Sequence, residues 1–297
     1  MNGTINVFKP IGMTSHQVVS FIRKKFKTKK VGHGGTLDPD VSGVLVIAIG
    51  KGTKISQYLL DLDKEYIGEL TLGIETDTQD RGGKVLNYSN NIVNQVDIEK
   101  TFQNYTGWIE QIPPMYSALR HNGKRLYELA REGKTVEREP RKVYIEFLDI
   151  INIENNEKIL FKTKCSKGTY IRTLCDDIGK SLNTYGYMSY LMRTEVESFH
   201  ISHSYSLDYI NSLEDSQLNS IIKPIGESLE FMDSLCIDNK YYNSIINGAK
   251  ISISGDFYKK YGINTIYKIY CRNTFIGLGR IMDNDGNFFI KMDRVLV

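Results

Sequence analysis

The residues best able to do chemistry crowd into one short segment. Gly32-His33-Gly34-Gly35-Thr36-Leu37-Asp38-Pro39, followed by Ser42-Gly43, sets one imidazole and one carboxylate among glycines. Glycines let a backbone turn tightly or approach a ligand closely. The proline after Asp38 biases that aspartate toward extended geometry, which would hold its carboxylate in a defined direction at the end of a loop. Taken alone, an Asp-Pro pair marks a turn. Neither this segment nor Gly50-Lys51-Gly52-Thr53-Lys54 has the spacing of a P-loop, and its glycines fail the dinucleotide fingerprint. Nucleotide hydrolysis and a nucleotide cofactor are therefore not expected. His33 has no second histidine or carboxylate at metal-ligand spacing, so no metal is expected either. Arg172, in Ser166-Lys167-Gly168-Thr169-Tyr170-Ile171-Arg172, stands at the start of an expected helix. It is an available partner for a carboxylate, although spacing alone does not bring the two together.

These residues need elements to carry them. Residues 5–8 are expected as a short strand ending at Lys9-Pro10. Residues 14–26 are expected as a helix, because Thr14 and Gln17 make a capping-box pattern and Val18, Val19, Ile22 and Phe26 share a face. Residues 27–39 are basic, then glycine-rich, and read as a loop. Strands are expected at 44–49, 66–72, 142–150 and 159–165, and helices at 52–60, 97–105, 124–132 and 170–182. This irregular succession favours an α+β mixed sheet over a doubly wound parallel one. The last sixty residues differ. Short β-rich runs at 250–254, 265–270, 275–281 and 288–291, with Asn284-Asp285-Gly286 as a hairpin turn, predict a small β-rich domain starting near residue 236.

The chain has 297 residues, 41% hydrophobic and 25% charged, which fits a folded protein of about two domains. Disorder, a collagen-like repeat and a disulfide-stapled miniprotein are excluded. The net charge of +3 is modest but segregated. Residues 1–60 carry nine lysines and arginines against Asp38 and Asp40 alone, and residues 158–174 carry five against no acid. A basic face for a polyanion is the functional reading; chance clustering on solvated helices is the bland one. The four cysteines form no C-x-x-C pair, so reduced thiols and a cytoplasmic location are expected. No signal-peptide pattern opens the chain, and the apolar run at 41–50 is far shorter than the roughly 20 residues a bilayer needs.

A resemblance then emerges from the order of several short motifs. They are Phe8-Lys9-Pro10-x-Gly12-Met13-Thr14-Ser15, the block at 32–39, Thr53-Lys54, Asp63-Lys64-x-Tyr66 and Thr76-Asp77-Thr78-x-Asp80. Gln111-Ile112-Pro113-Pro114-x-Tyr116-Ser117-Ala118, the segment from Cys165 to Arg172 and Tyr190-Leu191 complete them. In this order the chain resembles the TruB family of tRNA pseudouridine-55 synthases in its bacterial form. Met192 departs from the usual arginine, and Arg120 stands where lysine is common.

The resemblance implies an α+β pseudouridine synthase fold, with a central mixed, mainly antiparallel sheet flanked by helices and loops. It implies a catalytic domain at 1–235, an RNA-gripping insertion at about 115–142, and a PUA-like RNA-binding domain at 236–297. The implied reaction turns a uridine of the TΨC loop of tRNA into pseudouridine: N1–C1′ breaks, the base rotates, and C5–C1′ forms. No cofactor is needed, and the partner is tRNA, bound by a monomer away from any membrane. Asp38 would be the essential carboxylate, either stabilising charge at C1′, forming an adduct there, or taking the C2′ proton. Arg172 would clamp it through a bidentate fork, since a guanidinium favours the ionised carboxylate. Tyr66 and Tyr170 would hold the everted uracil, Tyr66 both by stacking and as a catalytic candidate for moving the C5 or C2′ proton, and Leu191 would pack on its other face. His33 would fill the space the base leaves. Lys9, Lys54, Lys64, Arg120, Lys124 and the basic run at 23–30 would contact phosphates. Three other readings compete: a guide-dependent pseudouridylase, a non-catalytic RNA chaperone, and a nucleoside or glycoside hydrolase.

Overall fold

The computed structural model describes residues 1–253 and 261–297. In chain order the structure begins with β1 (Gly3–Lys9), α1 (Ser15–Lys25), β2 (Val31–His33), β3 (Ser42–Ile49), α2 (Ser56–Leu60) and β4 (Lys64–Leu72). It continues with β5 (Ile74–Thr76), β6 (Val85–Tyr88), α3 (Gln95–Asn104), β7 (Gly107–Gln111), β8 (Arg120–His121), β9 (Lys124–Arg125) and α4 (Leu126–Arg131). Then come β10 (Arg141–Glu154), β11 (Lys158–Cys165), α5 (Ile171–Ser181), β12 (Gly186–Val196), β13 (Phe199–His200) and α6 (Leu207–Ser212).

Every residue of β3 is buried, so this strand must be covered on both faces and lie inside a sheet. The sheet runs β1-β3-β12-β4-β11-β10-β7, with β2 added beside β3 and β13 beside β12. Only β3 and β12 run parallel, paired at Met192 with Ser42 and Arg193 with Gly43. The expected mixed, mainly antiparallel sheet is therefore the one that forms. Helices α1 and α5 bury apolar faces in the same core, through Val18, Val19 and Ile22 and through Ile171, Leu174 and Ile178. The capping box at α1 is present, with Thr14 accepting from Gln17 N–H and Gln17 accepting from Thr14 N–H at 2.7 Å.

The β3–β12 contact depends on Gly43. Its φ is +110°, and a Cβ there would lie 2.1 Å from the carbonyl oxygen of Arg193. Neither the backbone angle nor the backbone neighbour can yield cheaply. Gly43→Ala should cost about 3 kcal/mol or more of stability, read as a lowered urea midpoint with an unchanged slope.

Several expectations needed revision. Residues 31–33, read as part of a loop, form β2 beside β3. Residues 52–60 form a 3₁₀ turn at Gly50–Ile55 and only five residues of α-helix, because Gly52 must pass close over the Gly3 carbonyl. β12 carries Leu191 but was not foreseen as a strand. Its pairing with β4 slips at Met188/Tyr190 and again at Arg193/Glu195, which breaks the two-residue alternation that marks a strand.

The remaining chain adds β14 (Ser234–Ile237), α7 (Tyr242–Ile246), β15 (Ile251–Ser252), β16 (Ile266–Cys271), β17 (Thr274–Asn284) and β18 (Asn287–Val295). These strands form a second sheet in the order β14-β16-β17-β18-β15. Of the strand expected at 250–254, residue 254 lies outside the described residues. Asp285 and Gly286 have positive φ between β17 and β18, as the expected hairpin turn requires. A shared core of Val44, Val46, Ile55, Leu59, Leu278 and Leu296 joins the two sheets.

Candidate active site

Asp38 sits in the loop between β2 and β3, and the N-terminal motif holds that loop. Ser15 is buried at the start of α1, and its hydroxyl bridges the main chain of Leu37, accepting from N–H at 2.8 Å and donating to the carbonyl at 3.0 Å. Gly12 N–H donates to the Pro39 carbonyl at 2.9 Å. Lys9 is fully buried, and its Nζ donates to the carbonyls of Pro10, Met13 and Pro39. The residues on either side of Asp38 are thus pinned by three side chains or amides from one stretch of sequence.

Lys9 and Lys64 correct the expectation of phosphate contacts. Lys64 is also buried, and its Nζ donates to the carbonyls of Leu60 and Leu62. Lys9 uses all three of its N–H donors on interior carbonyls and Lys64 two of its three, with both side chains buried. Burial pulls both amines down to about 8, against the partial compensation of nearby carboxylates. Both groups therefore bind fewer protons folded than unfolded between about pH 8 and the ordinary lysine range. Their contribution to stability should improve as pH rises through that window.

Arg172 meets Asp38 at 3.1 Å through Nη2. The same nitrogen donates to the Tyr116 carbonyl at 2.9 Å, while Nη1 reaches the Thr78 carbonyl at 3.2 Å and Asp80 at 3.5 Å. The guanidinium is therefore hydrogen-bonded to three acceptors and ion-paired with Asp38 through a single nitrogen, not a bidentate fork on Asp38. Its side chain is 8% exposed and that of Asp38 46%. Arg172 is in the first turn of α5, where the helix dipole opposes a cation, so the two carboxylates have to offset that cost. Asp80 is itself saturated: its Oδ1 accepts from Thr78 Oγ at 2.7 Å and Gly82 N–H at 2.9 Å. Gln111 clamps the backbone of Tyr170, the residue that opens α5, through its amide oxygen and nitrogen.

Tyr66 on β4 is the register partner of Arg193 on β12, and Gly68 is the partner of Leu191. The four positions share one face of the sheet. Burial pushes the Tyr66 phenol up, and the Arg193 guanidinium, within hydrogen-bonding reach of the hydroxyl, pulls the other way. Asp38 is close enough for its charge to be felt by Tyr66 and by Tyr170, whose phenol burial also pushes up. Both rings are therefore neutral phenols at pH 7. Burial lowers the His33 pKa, helped by Arg193 and His16. Gly35 N–H approaches its Nδ1 at 3.4 Å, leaving a neutral ring with its proton on Nε2.

The structure thus gathers Asp38, Arg172, Tyr66 and Tyr170, with His33 and Leu191 on the adjoining strands. The peripheral cations lie elsewhere. Arg120 and Lys124 form the exposed β8–β9 hairpin, with Lys124 paired to Glu132 at 3.2 Å. Lys54 is exposed, and its Nζ lies 3.4 Å from the Val295 carbonyl of the second sheet. In the basic run, Lys25 donates to the Asn211 and Leu213 carbonyls and Lys27 pairs with Asp215, so fewer of its charges are free than composition implies. Arg193 was not foreseen at all. It follows directly on Leu191-Met192, but its burial depends on a strand that the alternation did not reveal.

The N-terminal domain of the TruB family of pseudouridylate synthases matches residues 23–171, and the tRNA pseudouridylate synthase B C-terminal domain matches residues 172–230. The chain is 43% identical over 304 residues to a tRNA pseudouridine synthase B of Alkaliphilus oremlandii, covering 100% of this chain and 99% of the relative. It is 44% identical over 298 residues to that of Clostridium kluyveri, with 100% of both covered. Among solved structures it is similar to a chain of an H/ACA RNP bound to a substrate RNA containing 2'-deoxyuridine, with a TM-score of 0.74 and 24% identity over 99% of this chain and 85% of that one. That likeness concerns the fold.

Proposed function

The chain belongs to the TruB family of pseudouridylate synthases, and from that premise we propose that it isomerises one uridine in the TΨC loop of tRNA, position 55, to pseudouridine. The observation that carries the site assignment is the Asp38–Arg172 contact beside the Tyr66 and Tyr170 rings. A base within a folded loop cannot reach Asp38 until it is extruded, at a cost of a few kcal/mol. His33, at the end of β2, stacks in this reading into the space left behind. Tyr66 and Leu191 then bracket the uracil, and Asp38 faces C1′ as positive charge develops there.

An isomerase must keep water from the cleaved intermediate. Asp38 is almost half exposed in the free chain, so the RNA itself has to complete the enclosure. Hydrolysis needs a second working carboxylate. Asp80 is the nearby candidate, and both its oxygens are already committed to Thr78, Gly82 and Arg172. That favours isomerisation over the hydrolase reading. The full-length likeness to bacterial enzymes at 43–44% identity, against 24% to the RNP chain, favours action without a guide. We assign the catalytic work to residues ahead of the second sheet, and RNA gripping to the 115–142 segment and that sheet.

Forming C5–C1′ displaces the hydrogen on C5, which supplies the test. A tRNA transcript labelled with tritium at uridine C5 should release one label per molecule to solvent, without any guide RNA, and yield no free uracil. Release of uracil would identify a hydrolase, and no release would leave only RNA binding. Affinity for the same transcript should fall about tenfold or more between 50 and 200 mM salt, because each neutralised phosphate frees a counterion. A filter-binding series at stepped salt checks this.

A further inference from the structure

Arg193 is among the largest fully buried side chains in the protein, 1% exposed, and among the described residues no carboxylate forms an ion pair with it. An unpaired interior cation is costly, so its surroundings should reveal what it serves. Its Nε donates to the Val44 carbonyl at 2.7 Å and its Nη2 to the Gly35 carbonyl at 3.2 Å. Val44 follows the Asp38 loop and Gly35 lies within it. The guanidinium also comes within hydrogen-bonding reach of the Tyr66 hydroxyl, directly across the β12–β4 register. One flat group therefore joins the backbone around the Asp38 loop to the phenol beside that aspartate. Gly35 has φ +138°, and a Cβ there would sit 3.5 Å from Nη1, so the loop is shaped to lie against the guanidinium.

We propose that Arg193 is a positioning residue that fixes the Tyr66 hydroxyl as an acceptor toward the protein and so turns its proton toward the base pocket. The argument is one of donor inventory. A guanidinium has five donors and no acceptor, so any bond between it and the phenol uses the phenol oxygen as acceptor. The O–H must then point away from Arg193, and no described protein group takes that proton. Tyr66 presents a donor to the everted base, with Arg193 setting the hydroxyl's direction from behind the ring without touching RNA. This inference rests on the isomerase reading above. Wild-type tritium release tests that reading separately, whatever the variants do.

The experiment is a double-mutant cycle on single-turnover pseudouridine formation, combining Arg193→Gln with Tyr66→Phe. With Tyr66 present, Arg193→Gln should slow the step about tenfold, while the Kd for tRNA changes less than about threefold. On the Tyr66→Phe background the same substitution should cost less than about threefold, since residues that act as a unit are non-additive. A second readout is the pH profile. Any alkaline limb that Tyr66→Phe abolishes should move to higher pH in Arg193→Gln, because the cation that favours phenolate has gone. Equal, multiplying losses on both backgrounds would overturn the proposal, as would a tenfold loss of tRNA affinity. Arg193→Lys, which keeps the charge and loses the planar fork, should behave as Arg193→Gln does in the cycle. If circular dichroism shows that neither variant folds, the arginine is structural and the proposal is wrong.

Discussion

Asp38→Asn should abolish pseudouridine formation while leaving the protein folded. The two side chains have the same shape, and the amide oxygen can still accept from Arg172 Nη2, which now sits at 3.1 Å from the carboxylate. The loop is pinned independently of the carboxylate, by Ser15, Gly12 and Lys9, so its path should not change. What disappears is the negative charge facing C1′. Loss of the sole nucleophile or base of a reaction costs about 10⁴-fold or more, and the same loss follows from each of the three roles open to the carboxylate. The measurement is tritium release from C5-labelled tRNA, beside thermal melting and a tRNA binding curve. Melting should shift by no more than a few degrees, and Kd should stay within about threefold, because Asp38 repels phosphate if it acts on affinity at all. Turnover within tenfold of wild type would remove Asp38 from the chemistry.

The charged residues show where sequence was legible and where it was not. The 32–39 block is local, and its glycines and proline announce a shaped loop whatever surrounds them. The capping box of α1 is likewise a local device, and it formed as expected. Lys9 and Lys64 carried no comparable signal. A lysine is read as solvated unless something indicates burial, and the carbonyls that hold Lys9 come from residues 10, 13 and 39. Only the folded loop brings them together. β12 failed for a different reason. Two register slips erased its period, and with it went the burial of Arg193, whose partners Gly35 and Val44 lie some 150 residues upstream. Arg172 fell between these cases. Its motif and its position at a helix start were readable, but its contacts to Thr78, Asp80 and Tyr116 were not. Those residues reach it from two separate segments, 78–80 and 116, and the number of partners changes what its replacement should do.

Arg172→Lys should therefore damage both the reaction and the fold. A lysine ammonium has three donors on a flexible stem, whereas the guanidinium spans three hydrogen-bond acceptors and the Asp38 ion pair from a rigid plane. Lysine could follow Asp38 or remain with the Thr78 and Tyr116 carbonyls, but it cannot hold both sets in their present geometry. If it stays with the interior carbonyls, Asp38 loses its orienting cation. Misplacement of a catalytic group by about 1 Å is enough to cost on the order of 10²-fold in rate. If it follows Asp38, the Tyr116 and Thr78 carbonyls and the Asp80 carboxylate are left without their donor, costing about 1–3 kcal/mol for each buried group unsatisfied. Either way kcat should fall by about 10²-fold or more with a much smaller change in KM, since Arg172 is only 8% exposed and acts through the carboxylate it holds. Urea unfolding should register a loss of stability in the same variant, unlike Asp38→Asn. Adding Arg172→Lys to Asp38→Asn should then cost little further rate, because the arginine acts through the carboxylate. A variant with near-wild-type kcat, or one whose rate loss multiplies fully with that of Asp38→Asn, would show that the contact is structural and that Asp38 orients itself without it.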